Sequence, residues 1–212
     1  MKHRLYFFRH GESAANAGAQ TTDNALINLT PKGVTQSKAI AAFFTEDPYR
    51  AIVSPFLRAR QTAGYALAAF PGIALEEWPI QEFIYLSPEK STGITAAEKE
   101  TLDNAYWNKA DPFYRDSPQT ETFQEVVERI DAALAGMASL LEQYPVTVLF
   151  AHGFFMKALR WRATEGQGPI TGASMSACRE YVLKTPLENG SGFQCTLEAG
   201  RVHIADLPLP KA

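Results

Sequence analysis

Cysteine is nearly absent: the 212 residues hold two, Cys178 and Cys195, with no CxxC spacing. That excludes a disulfide framework and a thiolate metal knuckle, and two isolated thiols suit a reducing compartment. Long apolar runs are missing as well. No stretch approaches the ~20 residues needed to span a bilayer, and the apolar run after the basic start MKHR is only Leu5 to Phe8, too short for a secretory signal core. A cytoplasmic protein that does not engage the membrane is expected. Bulk positive charge is also lacking: 20 Lys and Arg against 23 Asp and Glu leave a net charge of −3. No basic field recruits nucleic acid or anionic lipid, so any anion must be held by a local cluster of cations. Neither HExxH nor a Cys/His ligand spacing occurs, which argues against metal binding. Repeats and low-complexity tracts are absent too.

Apolar residues make up 46% of the chain and charged residues 20%, ordinary for a globular protein. The length suits one unit over 1–212 with a core of useful size. Leu5 to Phe8 reads as a strand covered on both faces, as do RAIV and VTVLFA. Thr30 caps and Pro31 opens a helix running to about Phe44; Ser54 and Pro55 are expected to open the next, with Ala59, Thr62, Ala63, Ala66 and Phe70 at helical spacing. The best helix follows Thr122, where Glu125 completes a capping box. Phe123, Val126, Ile130, Leu134, Met137 and Leu141 share its stripe. REYVLK and GFQCTLEAGRVHIADL read as strands, the latter turning near Ala199–Gly200. The segment from about 83 to 120, rich in Pro, Ser and Asp around a helical TAAEKETLDNAYW, reads as a cap-like insertion over the sheet. Together these predict an α/β three-layer sandwich with a mostly parallel central sheet flanked by helices.

In such sheets ligands bind beyond the carboxyl ends of the strands. Arg9 and His10 end the first strand and His152 ends VTVLFA. Arg58 lies one turn into the helix after the second strand, and its side chain leans back towards that strand's end. Four such groups on one sheet edge suit a phosphate or carboxylate, since guanidinium groups offer forked donors. Gly11 and Gly153 permit tight turns and close approach of backbone N–H groups to an anion. Any one of these residues alone is more often structural; two histidines also admit a metal reading, which the motif search does not support.

RHGESAAN, LTPKG, SPFLRARQTA and VLFAHG, in that order, resemble the histidine phosphatase superfamily, the phosphoglycerate-mutase-like family, over most of the chain. The resemblance implies that His10 attacks a phosphoryl group and carries it as phosphohistidine, without cofactor or metal. Two nearby arginines would keep the attacking imidazole neutral, and its other ring nitrogen would donate to a backbone carbonyl. Arg9, Arg58 and His152, with Asn16 and Gly153 assisting, would bind the phosphoryl oxygens. A leaving alkoxide needs an acid. In one branch of the family an Asp follows the second His, but Gly153 stands there; the other branch uses a Glu about twenty residues after the second motif, which points to Glu82. Glu121 is a competitor, whereas Glu76 and Glu77 read as solvated charges. EFIYLSPEKSTG departs from the Gly-rich, Trp-containing stretch of the mutases, so the expectation is a phosphomonoesterase for a small phosphorylated metabolite. The alternatives are a phosphoglycerate-mutase-type phosphotransferase and an idle phosphate-binding regulatory protein. Tyr106, Trp107, Phe113 and Tyr114 read either as a lid shaping specificity or as plain packing. Substrate identity and oligomeric state are not inferable from the residues.

Overall fold

A computed structural model describes residues 3–207 apart from Thr21, Thr22, Thr45, Thr95 and Gly200. The strands are β1 (Arg4–Arg9), β2 (Arg50–Val53), β3 (Ala74–Glu77), β4 (Val146–Ala151), β5 (Gly192–Glu198) and β6 (Arg201–Asp206). The helices are α1 (Pro31–Ala39), α2 (Leu57–Ala66), α3 (Pro88–Ser91), α4 (Ala96–Trp107), α5 (Phe123–Gln143), α6 (Gly153–Thr164) and α7 (Gly172–Lys184). They build one six-stranded mixed sheet, order β3-β2-β4-β1-β5-β6, in which β5 alone runs against the rest.

Both faces of the sheet are covered, and the strand alternation sorts its residues between them. Tyr6, Phe8, Ala51, Val53, Val148 and Phe150 pack against Ile40, Ala59, Ala63 and Ala66 on the α1–α2 side. Leu5, Phe7, Ile52, Leu149 and Ala151 face the other way, towards α5, α6 and α7. Each large apolar side chain so buried contributes about 1.5–3 kcal/mol. Helix α5 forms as its pattern predicts. Thr122 and Glu125 make both capping-box bonds, and Phe123, Val126, Ile130, Met137 and Leu141 are buried, while Leu134 is half-buried at the stripe's edge.

Two sequence expectations need correction. REYVLK is helical, the end of α7: Thr171 and Ser174 cap that helix reciprocally, and Met175, Cys178 and Val182 bury one face at helical spacing. Local apolar alternation in a six-residue window lost to a helix already nucleated upstream. Ser54 does not cap α2, which starts at Leu57 after Phe56 without a side-chain cap. Of the two readings left open for the insertion aromatics, packing describes three: Tyr106 and Trp107 are buried in the core and Tyr114 is half-buried against it, while Phe113 is exposed; none of the four lines the cleft described below. Gly200, expected in the turn between β5 and β6, lies outside the described residues; the two strands pair as anticipated. Among the described residues no helix is long and apolar enough to cross a membrane.

Candidate active site

Strand register assembles the site. β1 pairs with β4 so that Arg9 lies opposite Ala151; the next residue on each strand is therefore a histidine, and the rings of His10 and His152 come to 5.1 Å centroid to centroid. β2 pairs with β4 on the other side, and Ser54, one residue past β2, shares a 2.7 Å hydrogen bond with His152 Nε2. Its Oγ also accepts from Phe56 N. The serine expected to cap a helix instead fixes an imidazole.

His10 is held in one tautomer. Its Nδ1 donates to the Gly11 carbonyl at 2.7 Å; a carbonyl only accepts, so the neutral ring carries its proton there. Nε2 is then a lone pair, and Arg58 Nε donates to it at 3.1 Å. Burial, then the charges of Arg58 and Arg9, hold the imidazole well below its usual pKa against the smaller upward pull of the Gly11 bond. His152 is likewise depressed, by burial first and then by Arg58, His10 and Arg9. Arg58, second residue of α2, donates Nη1 to Asn24 O at 2.6 Å; burial above all lowers it to about 10, so it stays cationic at neutral pH.

Arg9 donates Nη1 to Leu187 O at 2.6 Å. Its Nε and the Nδ1 of His152 are buried with no hydrogen-bond partner. Arg9 Nε always carries a proton and can donate to an anion, whereas His152 Nδ1 can do so only in the tautomer in which Ser54 Oγ donates to Nε2. Gly153 makes room for Arg9, since a Cβ there would stand 3.1 Å from its Nε. Gly11 serves a different purpose from the one expected. A Cβ would fall 2.3 Å from Gly33 O, and the Gly11 N–H is spent on Thr62 Oγ1 at 3.0 Å. Gly11 therefore allows the loop to sit on the first turn of α1, and its amide is not free for an anion.

Glu82 lies against the start of α6, accepting from Phe154 N at 3.1 Å and Phe155 N at 3.0 Å. It lines the same cleft as Arg58 and Asn16 and raises the pKa of both arginines electrostatically. Glu121 is committed elsewhere: it forms a two-pronged ion pair with Arg129, both contacts at 2.7 Å. Arg129 in turn donates to Pro79 O and Gln81 O and stacks over Phe155. It thus clamps the backbone before Glu82 to the helix start that receives the carboxylate. Glu76 and Glu77 are ion-paired with Arg50 and Arg60 on β3 rather than merely solvated.

Asn16 stands at the exposed rim, its Oδ1 accepting from Ser13 Oγ at 2.9 Å and Asn189 Nδ2 at 3.0 Å. With the oxygen so engaged, Asn16 lines the cleft. Sequence reading missed Asn189, which also donates to His10 O, and Arg129. Both lie in unremarkable surroundings, NGSG and a helix surface, and only their spatial partners reveal them.

Among curated proteins none matches significantly. Solved structures do. A putative α-ribazole-5′-phosphate phosphatase from Escherichia coli superposes with a TM-score of 0.74 at 18% identity, covering 98% of this chain and 96% of its own. An open reading frame product from Mycobacterium tuberculosis gives 0.69 at 25%, covering 99% and 98%. An Entamoeba histolytica phosphoserine phosphatase variant bound to phosphoserine gives 0.70 at 20%, covering 96% and 95%. These likenesses place the fold. The model of the histidine phosphatase superfamily, branch 1, matches residues 5–195, which take in the site-bearing ends of β1, β2 and β4, and the chain belongs to that family.

Proposed function

We propose that the protein is a metal-independent phosphomonoesterase acting through a phosphohistidine on a small phosphorylated metabolite. The observation that carries the reading is the locked tautomer of His10, with its Nε2 lone pair bonded to Arg58 Nε and the charge of Arg9, whose buried Nε has no partner among the described residues, acting on the same ring. A phosphoryl group entering this cradle meets a neutral nucleophile rather than an imidazolium. Two fixed guanidinium groups offset the charge on its oxygens, which is where the transition state spreads it.

In the first step Nε2 bonds to phosphorus, the P–O ester bond breaks, and Glu82 delivers a proton to the departing alkoxide. In the second, Glu82 takes a proton from water, whose oxygen attacks phosphorus; the N–P bond breaks, and phosphate leaves with His10 neutral again. The chain 1–212 is read as one catalytic unit, with the 83–120 segment as the wall that sets specificity.

Brief exposure to a 32P-labelled ester followed by denaturation tests the reading. An acid-labile, base-stable label on His10 is expected; hydrolysis without any such label under single-turnover conditions overturns the covalent route. Incubation with 3-phosphoglycerate and a trace of bisphosphate primer is expected to yield phosphate, not 2-phosphoglycerate.

A further inference from the structure

The cleft continues outward from Arg58 and Glu82 into a cavity of about 280 Å³. One wall is apolar, formed by Phe56, Phe83, Ile84, Tyr85, Leu86 and Ile94, while Asn16, Asn24 and Ser91 add uncharged polar groups. The apolar wall is also stiff. Phe83 and Tyr85 stand 5.0 Å apart, Tyr85 packs on Tyr106 at 4.6 Å, and Phe83 on Phe154 at 5.3 Å. Aromatic pairs at such separations resist rearrangement. Tyr106 and Trp107 of the insertion pack on Tyr85 and on each other, outside the cavity lining.

Charge is scarce beyond the phosphoryl cradle. Arg9 and Arg58 are matched by one phosphoryl dianion. Past them, Lys99 is the sole cation among the described residues lining the cavity. It is already compensated: Asp103 lies 3.8 Å away on the same helix, and the ammonium rests 5.9 Å from the Tyr85 ring. An adjoining hollow of about 330 Å³ shares Asn24, Ile84 and Ser91, and adds Asp23 and Gln119 but no cation. A second phosphate or a carboxylate on the substrate would lose water here without gaining a counter-charge, and that is unfavourable.

Building on the phosphatase reading above, we propose that the substrate is the monophosphate of a compact, uncharged alcohol with one apolar face. Ile84, Leu86 and Ile94 select it by contact, and the absence of a free cation rejects doubly anionic esters.

Benzyl phosphate, 3-phosphoglycerate and fructose 1,6-bisphosphate all release primary alcohols, so their rates compare binding rather than leaving-group chemistry. With the full chain, kcat/KM for benzyl phosphate is expected to exceed that of both others by about tenfold or more. Ile94→Lys should raise kcat/KM for 3-phosphoglycerate by about tenfold and lower it for benzyl phosphate, with inhibition by inorganic phosphate unchanged as proof of an intact cradle. A wild-type preference for either anionic ester overturns this inference and leaves the phosphatase reading standing. Turnover of none of the three esters overturns the phosphatase reading and this inference with it.

Discussion

At the floor of the cleft, the groups that would handle phosphate project from the ends of β1, β2 and β4, and nearly every polar atom there has a fixed partner or an evident vacancy. At its wall, residues 83–86 are irregular chain and Lys99 lies on α4, the former held by aromatic packing and by the clamp of Arg129. The floor owes its precision to the sheet, because neighbouring strands fix each other's register to one residue. The wall has no such ruler. It continues the backbone from Glu82 and is tied by the Glu121 N–H bond to Ile84 O and by side chains rather than by strand pairing, so floor and wall rest on different structural supports.

Substitutions can test that division, beginning where the loss should be greatest. His10→Ala is expected to lower kcat by at least about 10⁴-fold while inorganic phosphate still binds, because the cradle of Arg9, Arg58 and His152 survives. Residual turnover near wild type would remove His10 from the chemistry. Arg58→Ala follows, with a loss of about 10²–10³-fold in kcat/KM for every ester alike, since it removes charge stabilisation regardless of the leaving group.

Glu82→Gln should behave differently. Benzyl phosphate is expected to slow by about 10²-fold or more, whereas p-nitrophenyl phosphate, whose leaving group needs no proton, changes only a few-fold. Equal losses on the two would strip Glu82 of the acid role. Arg129→Ala probes the wall's support. A loss of about tenfold in kcat for benzyl phosphate is expected, with the ratio of the two ester rates moving in the same direction as in Glu82→Gln and Arg129→Lys recovering part of it. If Arg129→Ala instead lowers both esters equally, its clamp is structural only.

The smallest effect is on stability. Unfolded imidazoles bind protons near pH 6.5, whereas His10 and His152 are held well below that when folded, chiefly by burial. The unfolded chain therefore binds more protons in mildly acidic solution, and stability falls as pH drops below about 6.5, by up to about 1.4 kcal/mol per pH unit for each histidine. Thermal melts of wild type and a His10→Gln/His152→Gln double variant should diverge between pH 6.5 and 5.5, the variant showing the flatter profile. Parallel profiles would mean that the two rings are not held neutral.

Much of this was legible in the residues. Leu5 to Phe8 and VTVLFA announce buried strands because both faces of the sheet are covered, and Arg9, His10 and His152 at their ends need only a parallel pairing to meet. The capping box of α5 was readable because its bonds span three residues. Illegible were contacts across long separations: Ser54 reaching His152, Arg129 reaching Gln81, Asn189 reaching His10. Each depends on which strand or helix lies next to which, and local periodicity carries no such information. REYVLK was misread for the opposite reason, because six residues of alternation cannot reveal a helix capped at Thr171.

The sequence by itself determined the inventory: two histidines and two arginines placed by local pattern at strand ends and a helix start, in an order shared with a family. Only the tertiary structure decided which of their atoms are free. Placing β4 between β2 and β1 commits His152 Nε2 to Ser54 and the Gly11 amide to Thr62, and leaves Arg9 Nε and His152 Nδ1 without partners among the described residues. Hydrogen bonds form between groups that are near in space, and in a crossed sheet nearness is set by strand order rather than by distance along the chain.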